Sequence, residues 1–237
     1  MTGPPAASAR VPGQPGFSKV IPYRTEVAPD SMPKIVDHEE RRREVIQAAW
    51  RVIVRDGLEE ATSRAIAREA GLSNGVLMHY FADMDDILLS ALRYSHSRIA
   101  ARLARKLAGM TGLQALRELL LDNLPLDNPR TSETRLEVSF WSRSLVRHKL
   151  AALQRHEAGW LLDRVTGLIA EARDSGEADP VDEPERVAAR LLAYIDGLSL
   201  HRLLYPDRLS RADLSRFLEQ ELDMLVRPRR QRGPGEE

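Results

Sequence analysis

The chain has 237 residues, of which 43% are hydrophobic and 30% charged, so it holds enough apolar material for a core and too much for disorder throughout. Cysteine is absent, which excludes disulfides, thiolate metal sites and a cysteine nucleophile, and suits a reducing compartment. Thirty-five basic side chains balance thirty-five acidic ones, so any affinity for nucleic acid must come from local placement of charge.

Residues 1–32 carry Pro4, Pro5, Pro12, Pro15, Pro22 and Pro29 with Gly3, Gly13 and Gly16 and show no period of 2 or 3.6. Such a segment is expected to be a disordered tail. From about Asp37 helices follow one another. Val45, Ala49, Val52 and Ile53 fall at i, i+4, i+7 and i+8, one face of an amphipathic helix that ends near Gly57. Thr62 is a fitting N-cap for a short helix through Ala70, with Gly71 as its stop. Ser73 caps the next helix, to about Tyr80 or Phe81. A long helix is predicted from about Asp85 to Leu107, with Leu88, Ala91, Ile99, Leu103 and Leu107 inward. Leu113, Leu116 and Leu120 mark a helix that stops before Pro125, and Pro125 to Pro129 reads as a loop. Another helix is predicted from about Ser132 to His148. Leu161, Val165, Leu168, Ile169 and Ala172 form a further stripe ending at Ser175-Gly176. Pro184 suits a first helical turn, and Val187, Leu191, Tyr194, Ile195 and Leu198 carry that helix towards Leu204. Ser210 with Asp213 resembles a capping box for a last helix holding Leu214, Phe217, Leu218, Leu222 and Leu225. No alternating pattern indicates a strand, so the expected fold is all-α, ending in a charged flexible tail over residues 227–237.

Residues 62–81 read TSRAIAREAGLSNGVLMHYF. Two short helices about a Gly71-Leu72-Ser73 turn match the helix-turn-helix plan, with Ile66, Ala67 and Ala70 packing against Val76 and Leu77. In such a unit the second helix lies in the major groove of double-stranded DNA. Asn74, Gly75, Met78 and His79 are its exposed positions. Asn can pair bidentately with adenine, and Gly75 lets backbone approach. Thr62, Ser63, Arg64 and Tyr80 are placed to hold phosphates, which fixes register without reading sequence, and Ser73 is a further DNA-binding candidate. On geometry alone, two short helices about a glycine are equally compatible with ordinary packing. Residues 34–93 hold nine Lys/Arg against eleven Asp/Glu, but residues 71–80 hold no acid, so a DNA-reading surface here must be a segregated patch.

The stretch from Arg42 to Leu92 resembles the DNA-binding domain of the TetR family of transcriptional regulators. Gly57, Thr62, Ile66, Ala67, Ala70, Gly71, Ser73, His79, Tyr80 and Phe81 stand at the places of the family pattern. Met84 stands where the family usually has Lys, so a common phosphate contact is missing. The resemblance implies a three-helix DNA-binding domain over residues 33–84, and a larger helical domain over residues 85–226 for effector binding and homodimerisation. The SNG-x-x-x-HYF wording and RLEVSFWSRSLVRHKLAALQRHE are most similar to the BetI-like subgroup, whose namesake senses choline. The implied function is a ligand-responsive repressor, released from a palindromic operator by a small molecule.

In the second half Glu137 and Trp141 lie at i and i+4 and share a helix face, with Phe140, Trp160, Tyr94 and Tyr194 as further candidate walls. An aromatic wall with a carboxylate suits a cationic effector, although aromatics at helical spacing also serve as core. If the last two helices mediate dimerisation, Gly197, Leu198, His201, Leu204, Phe217, Leu218 and Leu222 are candidates for the seam. The same residues fit the subunit's own core equally well.

Enzyme chemistry is not expected. The six histidines make no metal-ligand spacing, and there is neither a Gly-rich phosphate loop nor a G-x-S-x-G elbow, so no cofactor or metal is implied. No apolar run approaches the roughly 20 residues that span a bilayer, and no secretory signal opens the chain. A cytoplasmic protein without membrane partners is expected. The alternative function is a helical adaptor that binds protein and not DNA.

Overall fold

A computed structural model describes residues 33–178 and 183–226. Both tails lie outside the described residues. The described residues form nine helices and no strand: α1 (Pro33–Asp56), α2 (Ser63–Glu69), α3 (Asn74–Tyr80), α4 (Met84–Lys106), α5 (Gly112–Asp122), α6 (Asn128–Ser144), α7 (His148–Asp174), α8 (Pro184–Leu204) and α9 (Arg211–Val226).

The short N-terminal helices owe their ends to side chains. Thr62 Oγ1 accepts from Ala65 N at 3.2 Å and Ser73 Oγ from Val76 N at 3.3 Å, each satisfying a donor that the first turn leaves unpaired. Between them Leu72 N bonds Ala67 O at 2.9 Å and Gly71 N bonds Arg68 O at 3.2 Å. These two bonds close a Schellman turn, which requires the left-handed conformation that Gly71 adopts at φ 68°. Asp83 caps α4 by accepting from Asp86 N, and Asp127 caps α6 by accepting from Arg130 N. The Ser210–Asp213 capping box forms in both directions, at 3.1 and 3.0 Å.

Two helix boundaries and one packing expectation differ from the sequence reading. Helix α6 begins at Asn128, with Pro129 inside its first turn, where a missing N–H costs nothing. The helix predicted through His148 stops at Ser144, and α7 starts at His148. At that corner the amides of Val146 and Arg147 both bond to Arg143 O, while Leu145 and Val146 project into solvent, 87% and 77% exposed. Val76 does not pack under the helix-turn-helix unit. Leu77 is fully buried, but Val76 is 44% exposed, because α3 turns Leu77 and part of Tyr80 to the core and Val76 away from it.

Two apolar cores result. The first joins Val45, Val52, Ile66, Leu77 and Phe81 of the N-terminal helices to Ile87, Leu88, Ala91 and Leu92 of α4, and continues into Leu136 and Phe140 of α6 and Leu150 and Leu153 of α7. The second gathers Leu103, the α5 leucines, Val165, Leu168, Leu191, Ile195, Leu214 and Leu218. Arg102 links α4, α5 and α6, giving two bonds of 2.8 Å to Glu133 and one of 3.0 Å to Asp122. Arg42–Asp86 at 3.3 Å and Arg143–Glu59 at 3.7 Å add polar ties across the first core. The helix-turn-helix unit is thus packed onto the helices that carry the remaining candidate residues.

Candidate nucleic-acid interface and effector pocket

On the helix-turn-helix unit, Ser73, Asn74, Gly75, Met78 and His79 are exposed, as are Thr62 and Arg64, while Ser63 and Tyr80 are half-buried. A Cβ added at Gly75 would meet nothing within 4 Å, so the backbone there is open to an approaching surface. Thr62 and Ser73 use a hydroxyl lone pair for capping, which leaves each O–H free to donate outward. The Tyr80 ring lies 4.7 Å from His38 and 6.2 Å from His79, centroid to centroid, and Arg42 covers the buried Phe81 ring at 4.4 Å. Sequence reasoning missed Val76, which joins the exposed face, and His38, which braces Tyr80. The spacing of α3 could have flagged Val76, but nothing local links His38 to Tyr80 forty-two residues on.

Of the six pocket candidates, the structure brings together Glu137 and Trp141. Glu137 Oε1 accepts from Trp141 Nε1 at 3.1 Å and from the Gln154 amide, and Oε2 faces His96 Nε2 at 2.9 Å. His96 Nδ1 lies 3.5 Å from Glu157. Burial disfavours a charged imidazole, but hydrogen bonds and charge from Glu137 and Glu157 overcome it and hold His96 up at about 9. On α8, Asp196 is exposed as a residue, yet partial desolvation of its carboxyl and the charge of Glu137 push it up to about 6. Beside this cluster lies a cavity of about 460 Å³, lined by Trp141, Ser144, Leu145, His148, Ala151, Gln154 and Arg155.

The other four candidates stand elsewhere. Phe140 is fully enclosed in the first core, because its α6 face is the one turned to α1 and α4. Tyr94 packs edge-on against Trp50 at 6.0 Å, with Arg98 over the Trp50 ring at 4.4 Å. Trp160 is 47% exposed and is not among the cavity residues. Tyr194 is half-buried, and burial with the charge of Glu221 raises its phenol, which places it towards α9. His96, Gln154, Glu157 and Asp196 were not read from sequence. Gln154 and Glu157 do lie in the quoted RLEVSFWSRSLVRHKLAALQRHE segment.

At the far end of the chain, Leu218 and Leu222 lie in the second core, at 0% and 7% exposure, so they are not free to form a seam. Leu198 packs against the same core and Phe217 is half-buried, with Arg216 5.5 Å from its ring. His201 is exposed and meets the Tyr205 ring edge-on at 5.5 Å, and Leu204 is 59% exposed. Gly197 faces open space.

A capped two-helix unit presenting an acid-free helix, set on a helical bundle with a pocket at Trp141, defines a DNA-binding transcriptional regulator. Residues 45–91 match the model of bacterial regulatory proteins of the tetR family, and residues 112–227 that of the BetI-type transcriptional repressor C-terminal domain. The chain belongs to the TetR family, with a BetI-type C-terminal domain. It is 32% identical to the transcriptional regulator PksA of Bacillus subtilis over 195 residues, covering 82% of this chain and 94% of that one. It is 33% identical to BetI 1 of Chromohalobacter salexigens over 180 residues, 74% and 85% of the two chains. Among solved structures, a transcriptional regulator of Saccharomonospora viridis in complex with choline aligns with a TM-score of 0.75 at 25% identity, over 81% of this chain and all of that one. No helix among the described residues is long and apolar enough to cross a membrane.

Proposed function

We propose that the protein is a homodimeric repressor that binds a palindromic operator through α3 and leaves it when a small cation occupies the pocket at Glu137 and Trp141. The observation that carries the reading is the outward face of α3, where Asn74, Gly75, Met78 and His79 are exposed and no acidic residue stands. Asn74 reads adenine edges, Gly75, Met78 and His79 line the groove, and Thr62, Ser63, Arg64, Ser73 and Tyr80 hold phosphates. In this reading residues 33–84 bind DNA, residues 85–226 regulate and dimerise, and the protein works in the cytoplasm. Gly197, His201 and Leu204 of α8, exposed in the subunit, supply the seam, since a two-fold operator needs two recognition helices at fixed spacing. Release is a shift in population: an effector that binds better when α3 is mis-spaced draws the dimer off DNA.

Met84 in place of the usual Lys removes one phosphate partner from each subunit. Binding of the full-length protein to duplex DNA is expected to weaken steeply with salt, log K falling linearly against log salt by about 0.9 per phosphate contact, and Arg64→Ala is expected to reduce that slope by about 1. Affinity indifferent to salt would contradict the reading.

Support for a cationic effector comes from the Glu137 carboxylate bonded to Trp141, with Glu157 on the other side of His96, and from choline in the Saccharomonospora relative. Cation–ring attraction contributes about 0.5–2 kcal/mol. Trp141→Ala is therefore expected to weaken effector-driven release by about 2- to 30-fold while DNA affinity without effector stays unchanged. Titrating choline against a preformed protein–DNA complex measures both quantities; an unaltered response would remove Trp141 from the pocket.

A further inference from the structure

The His96 cluster holds more than the pocket reading uses. His96 faces a carboxylate from each ring nitrogen: Nε2 lies 2.9 Å from Glu137 Oε2, and Nδ1 lies 3.5 Å from Glu157 Oε2. A neutral imidazole has one N–H and one lone pair, so one of these carboxylates would meet a lone pair. Only the imidazolium suits both. Nδ1 is buried and has no hydrogen bond, so its charge is served by Glu157 at ion-pair distance alone. On the other side, Oε1 of Glu137 is occupied by Trp141 and Gln154, both of which line the cavity. Oε2 is bonded to His96.

We propose that His96 is the specificity-determining residue of the effector pocket, a resident positive charge with which a cationic effector competes for Glu137, so that binding the effector expels a proton and loosens α4 from α6 and α7. The proposal rests on the cationic reading of the pocket. With His96 protonated, the two carboxylates and the ring carry a net charge of −1, and an entering ion passes Arg155 at the cavity wall to reach them. The connection to DNA is direct. His96 sits on α4, whose preceding turns place Ile87, Leu88, Ala91 and Leu92 in the core shared with the helix-turn-helix unit. Its hydrogen bond to α6 and its ion pair with α7 therefore bear on how that helix lies.

The charged groups around the ring come from three other sources. Glu137 faces it from α6 and Glu157 from α7, with the exposed His156 next to Glu157 in sequence. Asp196 on α8 acts through Glu137. In the free protein the carboxylates, acting against burial, keep the ring protonated up to about pH 9. An effector cation beside the ring lowers that value. The sign follows: where one proton leaves per ion bound, affinity for the ion rises up to tenfold per pH unit, and the gain ends above about pH 9. Asp196 gains its charge near pH 6, so its contribution falls below the window from pH 7 to 9.5.

Calorimetric titration of the full-length protein with choline chloride and with tetramethylammonium chloride tests this. The titrations run from pH 7 to 9.5 in two buffers of different ionisation enthalpy, on the parent protein, His96→Gln and Asp196→Asn. The parent is expected to release close to one proton per ion at pH 7–8 and to gain affinity as pH rises. His96→Gln keeps an amide donor for Glu137 and is expected to bind more tightly at pH 7 with no pH slope, while Asp196→Asn keeps the parent slope. Binding by the parent without proton release, or the same slope in His96→Gln, overturns the role of His96 and leaves the cationic reading standing. Failure of both ions to bind parent and variants at every pH overturns the cationic reading and this proposal together. The parent's proton count does not depend on any variant folding.

Discussion

With Asn74 replaced by alanine, the protein is expected to remain folded and dimeric and to lose about 30-fold to 25,000-fold in operator affinity. Asn74 is the first residue of α3, is exposed, and makes no hydrogen bond among those found within the chain. Alanine removes nothing from the fold there and is a good helix former. What it removes is one bidentate base contact in each half-site, about 1–3 kcal/mol apiece and about 2–6 kcal/mol over the pair. The loss should be specific: affinity for unrelated duplex, which rests on phosphates, stays nearly constant. Tyr80→Phe gives the complementary pattern. It keeps the ring against His38 and His79 and removes the hydroxyl, so binding is expected to weaken by a similar factor on every sequence. Comparing operator and unrelated duplex by fluorescence anisotropy separates the two. Equal losses of Asn74→Ala on both would move Asn74 from base reading to backbone contact.

Phe140→Ala is expected to destabilise the protein by about 3–5 kcal/mol, the usual range for deleting a fully enclosed phenyl ring. The site cannot collapse easily, because Phe140 is buried in a core drawn from five other helices as well as its own. That is a large share of a typical 5–15 kcal/mol. The consequence reaches further than stability. The ring joins α6 to the core that contains Ile66, Leu77 and Phe81, so the cavity left behind loosens the seat of the DNA-binding helices. Phe140→Leu retains most of the volume and should recover much of the loss. Denaturant unfolding reads the effect; a loss under about 1 kcal/mol for the alanine variant would mean that Phe140 does not bridge the two parts.

Local signals made the fold legible. Thr62 and Ser73 announce helix starts by their hydroxyls, and both accept the bond expected of a cap. Gly57, Gly71 and Gly176 announce helix ends, and all three have positive φ. Ser210 and Asp213 close the box that their spacing indicates. The corner at 145–147 carried no such signal: it has neither glycine nor proline, and Leu145 and Val146 read as continued apolar stripe although both face water. Pro129 misled in the other direction, since a proline marks a loop or a first turn with equal readiness.

The pocket was half legible for a different reason. Glu137 and Trp141 share a helix face, which periodicity reveals. His96 joins them from forty-one residues earlier and Glu157 from twenty residues later, through packing that no local period encodes. The same limit applies at α9. Leu218 and Leu222 show an apolar stripe, but whether a stripe meets its own subunit or a partner depends on what α5 and α8 already cover, and here they cover it.

Selection of binding sites by the full-length protein from a pool of random duplexes tests most directly whether α3 reads DNA as one of a symmetric pair. The expected product is an inverted repeat whose half-sites are centred about 10–10.5 base pairs apart, or a multiple of that, with one position per half-site relaxed when Asn74→Ala is used. Enrichment of an asymmetric site, or of nothing above the starting pool, or of the same bases by both proteins, would contradict the account.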